Sequence, residues 1–323
     1  MSQVTVLLPV YNGMPYLADA VESVRRQTFK DWSLLAINDG STDGSADYLS
    51  QLDDPRIRVV HQQNQGLAAA LNAGLQICPS PYLARLDADD VALPTRLEKQ
   101  LEFLEARPRV GLVGTQVAMM FNGRAGRGVP LPTVHSAIDA GLLAGRHAVC
   151  HSSIMCRTAL SQKIGGYWPL GVSEDWDMYL RMAEQAELAN LDEVLLHVRV
   201  VENGIQSRQM AEVRRRIDYA CHAASRRRSG MPAIAYEEFC ELRRAKSWWK
   251  RSVERLDTYA RVQYRKAQPE ILGAHPLVGY GRLAWAAACS PQLTWQRVGR
   301  ALRRRLRASS AHSAARTLED VSV

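Results

Sequence analysis

Trp32-Ser33-Leu34-Leu35-Ala36-Ile37-Asn38-Asp39-Gly40-Ser41-Thr42-Asp43-Gly44-Ser45 joins a leucine-rich run of strand length to a polar turn carrying two glycines. Trp32–Asn38 reads as a strand, and Gly44–Leu52 behind it as a helix. The same rhythm extends in both directions. Val4–Val10 reads as a strand and Pro15–Gln27 as a helix before it, with strand Arg56–His61, helix Gly66–Ile77 and strand Pro81–Leu86 after it. Strands rich in β-branched residues or leucine, alternating with helices, require right-handed crossovers, so the expected fold is α/β with a mostly parallel sheet.

Such sheets bind ligands where loops leave the carboxyl ends of the strands. Those positions hold Pro9-Val10-Tyr11-Asn12-Gly13 after the first strand, Asp39 to Ser45 after the second and Asp87-Ala88-Asp89-Asp90 after the fourth. All three are expected to meet along one sheet edge. Farther on, Pro94–Glu105 reads as a helix with proline in its first turn. Strands are expected at Val110–Gly114 and Val117–Phe121, a hairpin at Asn122-Gly123 and a loop over 124–134. A helix over Ser136–Leu143, a strand at Ser152–Cys156, a helix from Glu174 to Gln185 and a strand at Glu193–Val200 complete this part, and residues from 211 on read as helical.

The chain has 323 residues, 46% of them hydrophobic, enough for a large core. Its net charge of +8 is unevenly placed: residues 1–210 hold 18 Lys+Arg against 23 Asp+Glu, and residues 211–323 hold 23 against 10. The split points to two jobs, with a basic C-terminal region suited to a polyanionic surface. The six cysteines form no Cys-x-x-Cys pair, and the N-terminus lacks a signal-length apolar segment, so a cytoplasmic protein with reduced thiols is expected. No apolar run reaches the roughly 18–20 residues that span a bilayer, and the nearest, Leu277–Cys289, is interrupted by Arg282.

Asp87-Ala88-Asp89 ends a strand with two hard carboxylates, a donor set suited to Mg²⁺ or Mn²⁺ bridging a diphosphate; an isolated Asp-x-Asp is as readily a solvated loop or a helix cap. It stands here in a series: Pro9-Val10-Tyr11-Asn12, Asn38 to Ser45, Asn64-Gln65-Gly66 with Asn72-Ala73-Gly74, Asp87 to Asp90, Gly165-Gly166-Tyr167 and Glu174-Asp175. In order and spacing the first 210 residues resemble the family 2 glycosyltransferases of the GT-A fold, and the tail beyond 211 lies outside the resemblance.

The resemblance implies an inverting transfer of a sugar from a nucleoside diphosphate sugar, UDP- or dTDP-linked, to a saccharide or lipid-linked acceptor in cell-surface polysaccharide assembly. Pro9, Tyr11 and Asn12 are implied to line the donor site, with Tyr11 stacking on the base and Asp39 accepting from its imide N–H. Asp87 is implied to contact the donor and, with Asp89, to hold the divalent cation, while Asp90 stands behind them and Asp175 is the general base. Asp43 reads as a helix cap, Arg85 as a diphosphate contact or the partner of an acid, and Trp176 as an acceptor platform or a core residue. His151 reads as a core or acceptor-pocket residue. Many relatives follow their last strand with Tyr-Arg-x-His, where this chain has Val198-Arg199-Val200-Val201, which places a histidine metal ligand in doubt.

The catalytic region is thus expected over 1–210 and a helical, arginine-rich region over 211–323. Thr294–Arg307 reads as a basic amphipathic helix with Trp295, Val298, Leu302 and Leu306 on one face, fit for an anionic membrane surface on the inner face of the cell membrane or for packing on the catalytic region. No recognised nucleic-acid motif accompanies the arginines. The alternatives are a sugar-phosphate nucleotidyltransferase, which needs a Gly-rich basic loop where Pro9–Gly13 stands, and a catalytically inactive glycan-binding or scaffold protein, which has no need of Asp39, Asp89 and Asp175.

Overall fold

Strand β1 (Val4–Val10) is buried throughout and divides its side chains between two cores. Val4, Val6, Leu8 and Val10 join one and Leu7 the other, as the two-residue period of a strand dictates. The computed structural model describes residues 2–121, 123–168, 171–200, 210–245, 247–272 and 276–295. After β1 come α1 (Leu17–Arg25), β2 (Trp32–Asp39), α2 (Ser45–Ser50), β3 (Ile57–Gln62), α3 (Leu67–Ile77) and β4 (Tyr82–Arg85). These are followed by β5 (Val91–Ala92), α4 (Arg96–Glu105), β6 (Val110–Phe121), β7 (Arg124–Val129), α5 (His135–Leu143), β8 (Met155–Arg157), α6 (Thr158–Lys163), α7 (Glu174–Ala183) and β9 (Glu187–Arg199).

The strands form one sheet in the order β3-β2-β1-β4-β8-β6-β9-β5, with β7 paired to β6. β1, β2, β3 and β4 are mutually parallel, so their carboxyl ends share one edge. β8 enters antiparallel between β4 and β6, and β9 runs parallel to β6. The fold is α/β with a mostly parallel sheet and a helical C-terminal region. Leu17, Val21 and Val24 of α1 with Leu97, Leu101 and Leu104 of α4 cover one face. Leu71 and Leu75 of α3, Ile138 of α5 and Trp176 of α7 cover the other. Each such side chain contributes roughly 1.5–3 kcal/mol on burial.

Two compact units separate among the described residues: one runs to Val200 and takes in Glu212–Tyr236, and the other holds Met210 and Ala211 and resumes at Glu237. The first therefore includes most of α8 (Met210–Arg228), whose Ile217, Ala220 and Ala224 are buried in the core beside α5 and α7. The second contains α9 (Tyr236–Arg244), α10 (Trp248–Leu272) and α11 (Pro276–Cys289). α10 and α11 pack through Ala260, Tyr264 and Ala286, and Arg282 of α11 pairs with Glu270 of α10. Among the described residues no helix is long and apolar enough to cross a membrane.

Four sequence expectations change here. The two strands expected at 110–114 and 117–121 are one, β6, because its pairing with β9 runs on through register shifts at Thr115–Gln116 and Gln116–Val117, where the Gln116 side chain donates to Leu131 O (3.1 Å) and accepts from Leu131 N (2.6 Å). The loop expected over 124–134 holds β7, antiparallel to β6. The strand expected at Ser152–Cys156 starts later, at Met155. A 3-10 turn occupies His151–Ser153, where the Ser153 hydroxyl donates to Cys150 O (2.8 Å). Trp176 is a core residue, 2% exposed, with its indole N–H on Leu142 O at 3.1 Å. Asn122 of the expected hairpin turn, Val201 at the family's histidine position and the expected helix beyond Trp295 lie outside the described residues.

Candidate functional site

The loops leaving β1 and β2 are stitched together. Asn12 N donates to Ser41 Oγ (3.1 Å), Gly13 N to Ser45 Oγ (2.9 Å) and Met14 N to Asp43 Oδ2 (2.8 Å), while Thr42 N donates to Asn12 Oδ1 (2.8 Å). Asp43, read from the sequence as a helix cap, accepts from both the backbone N–H and the hydroxyl of Ser45 and so joins the two loops. Burial raises its pKa, but the hydrogen bonds from Ser45 and Met14 outweigh that and leave it lowered. The third loop lies alongside: a methyl group on Gly13 would come within 3.2 Å of the Ala88 Cβ. The three polar clusters of the sequence thus meet at one sheet edge.

At this edge Tyr11 is 52% exposed and free to receive a planar group, and Pro9 is buried in β1. Asp39 is 3% exposed, and its carboxylate already holds the next loop. Oδ1 accepts from Gln62 Nε2 (2.7 Å) and Gln65 N (2.9 Å), and Oδ2 accepts from Gly66 N (2.8 Å). A single bond to Oδ2 leaves that oxygen acceptor capacity toward a ligand. The turn between Asp39 and this loop needs Gly40: its φ is +73°, and a Cβ there would stand 2.9 Å from Asn64 N. Asn64-Gln65-Gly66 and Gly40 are therefore one device for presenting Asp39.

Asp87, Asp89 and Asp90 bring carboxylate oxygens within 4.8 Å of one another. Arg85, buried at the end of β4, pairs with both oxygens of Asp87, the acid partner that its sequence reading allowed. Burial disfavours the Arg85 charge, yet Asp87 outweighs it and holds the guanidinium protonated. Asp87 N also donates to Ser152 Oγ (2.9 Å). Asp89 is pushed up to about 6, first by burial and then by Asp87. Asp90 is pushed up to about 8 by burial, Asp87 and Asp89. Three acids crowded against one another, two of them disfavouring their own charge, form a donor set that a hard divalent cation fits.

Arg199 clamps this loop from β9. Its backbone N donates to Asp90 Oδ1 (2.9 Å), its Nε to Asp89 O (2.9 Å) and its Nη2 to Asp19 Oδ2 (2.8 Å), and its guanidinium lies 4.2 Å from the Tyr16 ring centroid. His197, on the same strand, is opposite Val91 in the β5 pairing.

The remaining acids stand at the start of α7. Asp175 is pushed up to about 6 by burial, against the opposing charge of Arg85, and it also feels Asp87. Glu174 is 7% exposed and pushed up to about 7, by burial and by Asp175. Behind them His151 Nε2 lies 3.1 Å from Tyr167 Oη, and its Nδ1 is 3.9 Å from Glu174 Oε1. Burial holds His151 neutral, so the approach to Glu174 is dipolar rather than ionic. Tyr167 is fixed through Asn72, whose side chain accepts from Tyr167 N (2.8 Å) and donates to Tyr167 O (2.7 Å). Gly166 permits that contact, because a Cβ there would fall 2.4 Å from Asn72 Oδ1. Tyr179 adds a buried hydroxyl with no hydrogen-bond partner among the described residues. The Arg199 clamp, Ser152 and Tyr179 were not singled out as site groups from the sequence. Arg199 alone had a signal there, as the retained arginine of Val198-Arg199-Val200-Val201.

The model of the family described as Glycosyl transferase family 2 matches residues 5–164. EpsE of Bacillus subtilis, named as a glycosyltransferase, is 35% identical over 208 residues, which are 61% of this chain and 73% of that protein. TuaG of the same organism, named for teichuronic acid biosynthesis, is 42% identical over 107 residues, 32% of this chain and 42% of its own length. Residues 1–349 of S. aureus TarS, solved with UDP-GlcNAc, superpose with a TM-score of 0.56 at 15% identity, covering 92% of each chain. The mannosyltransferase PcManGT of Pyrobaculum calidifontis, solved with GDP-Man and Mn²⁺, gives 0.55 at 19% identity, over 91% of this chain and 83% of that one. At these identities the two solved structures speak for the fold.

Proposed function

The chain belongs to glycosyl transferase family 2, and from that premise we propose that it moves a sugar from a nucleoside diphosphate sugar to a saccharide or lipid-linked saccharide, with inversion, in cell-surface polysaccharide biosynthesis. The observation that carries the reading is the meeting of Tyr11, Asp39, the Asp87–Asp90 acids and Asp175 around one sheet edge. EpsE and TuaG support the reaction class, and the name of TuaG supports a surface polymer as the product. Residues 1–210 are read as the catalytic region and 211–323, apart from the turns of α8 packed into that region's core, as a region that brings the enzyme to an anionic membrane surface.

In this reading Tyr11 stacks on the base, and the spare acceptor capacity of Asp39 meets the imide N–H of uracil or thymine, favouring UDP- or dTDP-sugars. Pro9 and Asn12 shape the same pocket. Asp89 and Asp87 would hold Mg²⁺ or Mn²⁺, which when bound offsets the charge on the departing diphosphate. Arg199 keeps the Asp89–Asp90 backbone in place for this. Asp175 takes the proton of the acceptor hydroxyl as its oxygen bonds to the anomeric carbon. The bond from that carbon to the diphosphate oxygen breaks on the opposite face, and its electron pair leaves with the nucleoside diphosphate.

A general base must be ionised. Because burial raises Asp175 to about 6, kcat/KM falls as pH drops through that value and levels off above it. A panel of UDP-, dTDP- and GDP-sugars assayed for release of nucleoside diphosphate with Mn²⁺ or Mg²⁺, and then profiled against pH, checks both statements. Turnover of a sugar donor with an acidic limb near pH 6 is expected. Absence of turnover across the panel contradicts the function, and a pH-independent rate between 5 and 7 contradicts the base.

A further inference from the structure

The apolar seam of α10 continues past the partner that covers it. At helical spacing Trp249, Val253, Leu256, Ala260, Tyr264 and Ala267 form one stripe. Its C-terminal half is closed by packing, with Ala260 at 0%, Tyr264 at 8% and Ala267 at 0% exposure. Its N-terminal half is open, with Trp249 at 53%, Val253 at 58% and Leu256 at 47%, and a second indole, Trp248, stands beside it at 74%.

The other faces of the same three turns are cationic. Lys250, Arg251 and Arg255 are exposed, and among the described residues none of them meets an acid. The acids within these turns are already taken, Glu254 by Arg243 and Asp257 by Arg261. Lys250 reaches back over its neighbour, 5.5 Å from the Trp249 ring centroid. The occupant of the stripe must therefore accept indole and aliphatic groups on one side and cations around them. A second copy of this helix would bring identical cations together. The chain beyond Trp295 carries seven arginines against Glu319 and Asp320, and so repels the same surface.

We propose that the first three turns of α10 are a membrane-docking element that lies in the interface of an anionic bilayer. Trp249, Val253 and Leu256 enter the boundary between headgroups and acyl chains, where tryptophan is favoured, and Lys250, Arg251 and Arg255 engage lipid phosphates. This rests on the reading above that the acceptor is presented at a membrane, and it places the docking surface in the helical hairpin rather than in the extreme C-terminal segment.

The test is co-sedimentation with phosphatidylglycerol vesicles and with phosphatidylcholine vesicles, at low salt, for the full chain and for a chain ending at Trp295. Two full-length variants, Trp249→Ser with Leu256→Ser, and Lys250→Glu with Arg251→Glu and Arg255→Glu, are measured beside them, each also assayed for hydrolysis of a soluble donor. Full and shortened chains are expected to bind the anionic vesicles preferentially, and each variant to partition about tenfold less or weaker while hydrolysing donor as the parent does. Equal binding by parent and variants, or no preference for the anionic lipid, overturns the proposal. A dimer in solution that the Trp249→Ser, Leu256→Ser pair dissolves also overturns it and assigns the stripe to a second copy. A parent chain that binds vesicles but hydrolyses no donor counts against the glycosyl-transfer reading and leaves the docking result intact.

Discussion

Asp89→Ala is expected to abolish the response of turnover to divalent cation and to lower kcat by at least roughly 10²-fold, the scale of removing one preorganised electrostatic contact to a developing charge. The reason is local. Asp87 has both oxygens committed to Arg85, and Asp90 is 2% exposed and committed to Arg199 N, so Asp89 is the carboxylate of this cluster that makes no side-chain hydrogen bond or ion pair with another described residue. Its raised pKa, caused by burial and by Asp87 against the opposing charges of Arg85 and Arg199, marks a charge only partly offset in the free protein, and a bound cation would supply the rest. Cation titrations of nucleoside diphosphate release from the parent and the variant decide it. A variant that keeps both its rate and its cation dependence removes Asp89 from the metal site.

Asp175→Asn is expected to retain donor affinity while lowering kcat by roughly 10²-fold or more, since a general base contributes 10²–10⁴-fold. The amide matches the carboxylate in shape but cannot take the acceptor proton. Glu174, next to it and raised to about 7, is a second protonatable carboxyl in the same cluster, so Glu174→Gln is the control: it should change the rate far less. Donor affinity is read by calorimetric titration of the nucleoside diphosphate with cation, and kcat by donor turnover. Lost affinity with unchanged kcat would move Asp175 into the donor site and leave the base unassigned.

β1, β2 and β4 were legible because buried parallel strands leave nearly continuous apolar runs, and the polar residues that follow them form the candidate site; β3, partly exposed and carrying Arg58, was placed by the strand-helix alternation around it. The Asp-x-Asp and the carboxylate at the start of α7 were legible for the same reason, as chemistry at fixed places on a recognisable frame. β7 was not legible because an edge strand carrying Arg124, Gly126 and Gly128 is held by main-chain bonds to β6 and shows no apolar alternation. Nor was the mutual arrangement of the acids. Arg199 reaches Asp89 and Asp90 across more than a hundred residues of sequence, and only the pairing of β9 with β6 and β5 brings it there. The use of Asp39 as a loop anchor was hidden too, because its partners, Gln62, Gln65 and Gly66, are ordinary residues whose role appears once Gly40 turns the chain.

The central claim is a single displacement at the anomeric carbon, with Asp175 across from the departing diphosphate. Proton nuclear magnetic resonance of the sugar released when an α-linked nucleoside diphosphate sugar is hydrolysed, read at early times before mutarotation, tests it without knowledge of the natural acceptor. The β-anomer should appear first, and the signal should be absent with Asp175→Asn. Initial release of the α-anomer would contradict the account, because retention requires a covalent or front-face route that this arrangement of carboxylates does not describe.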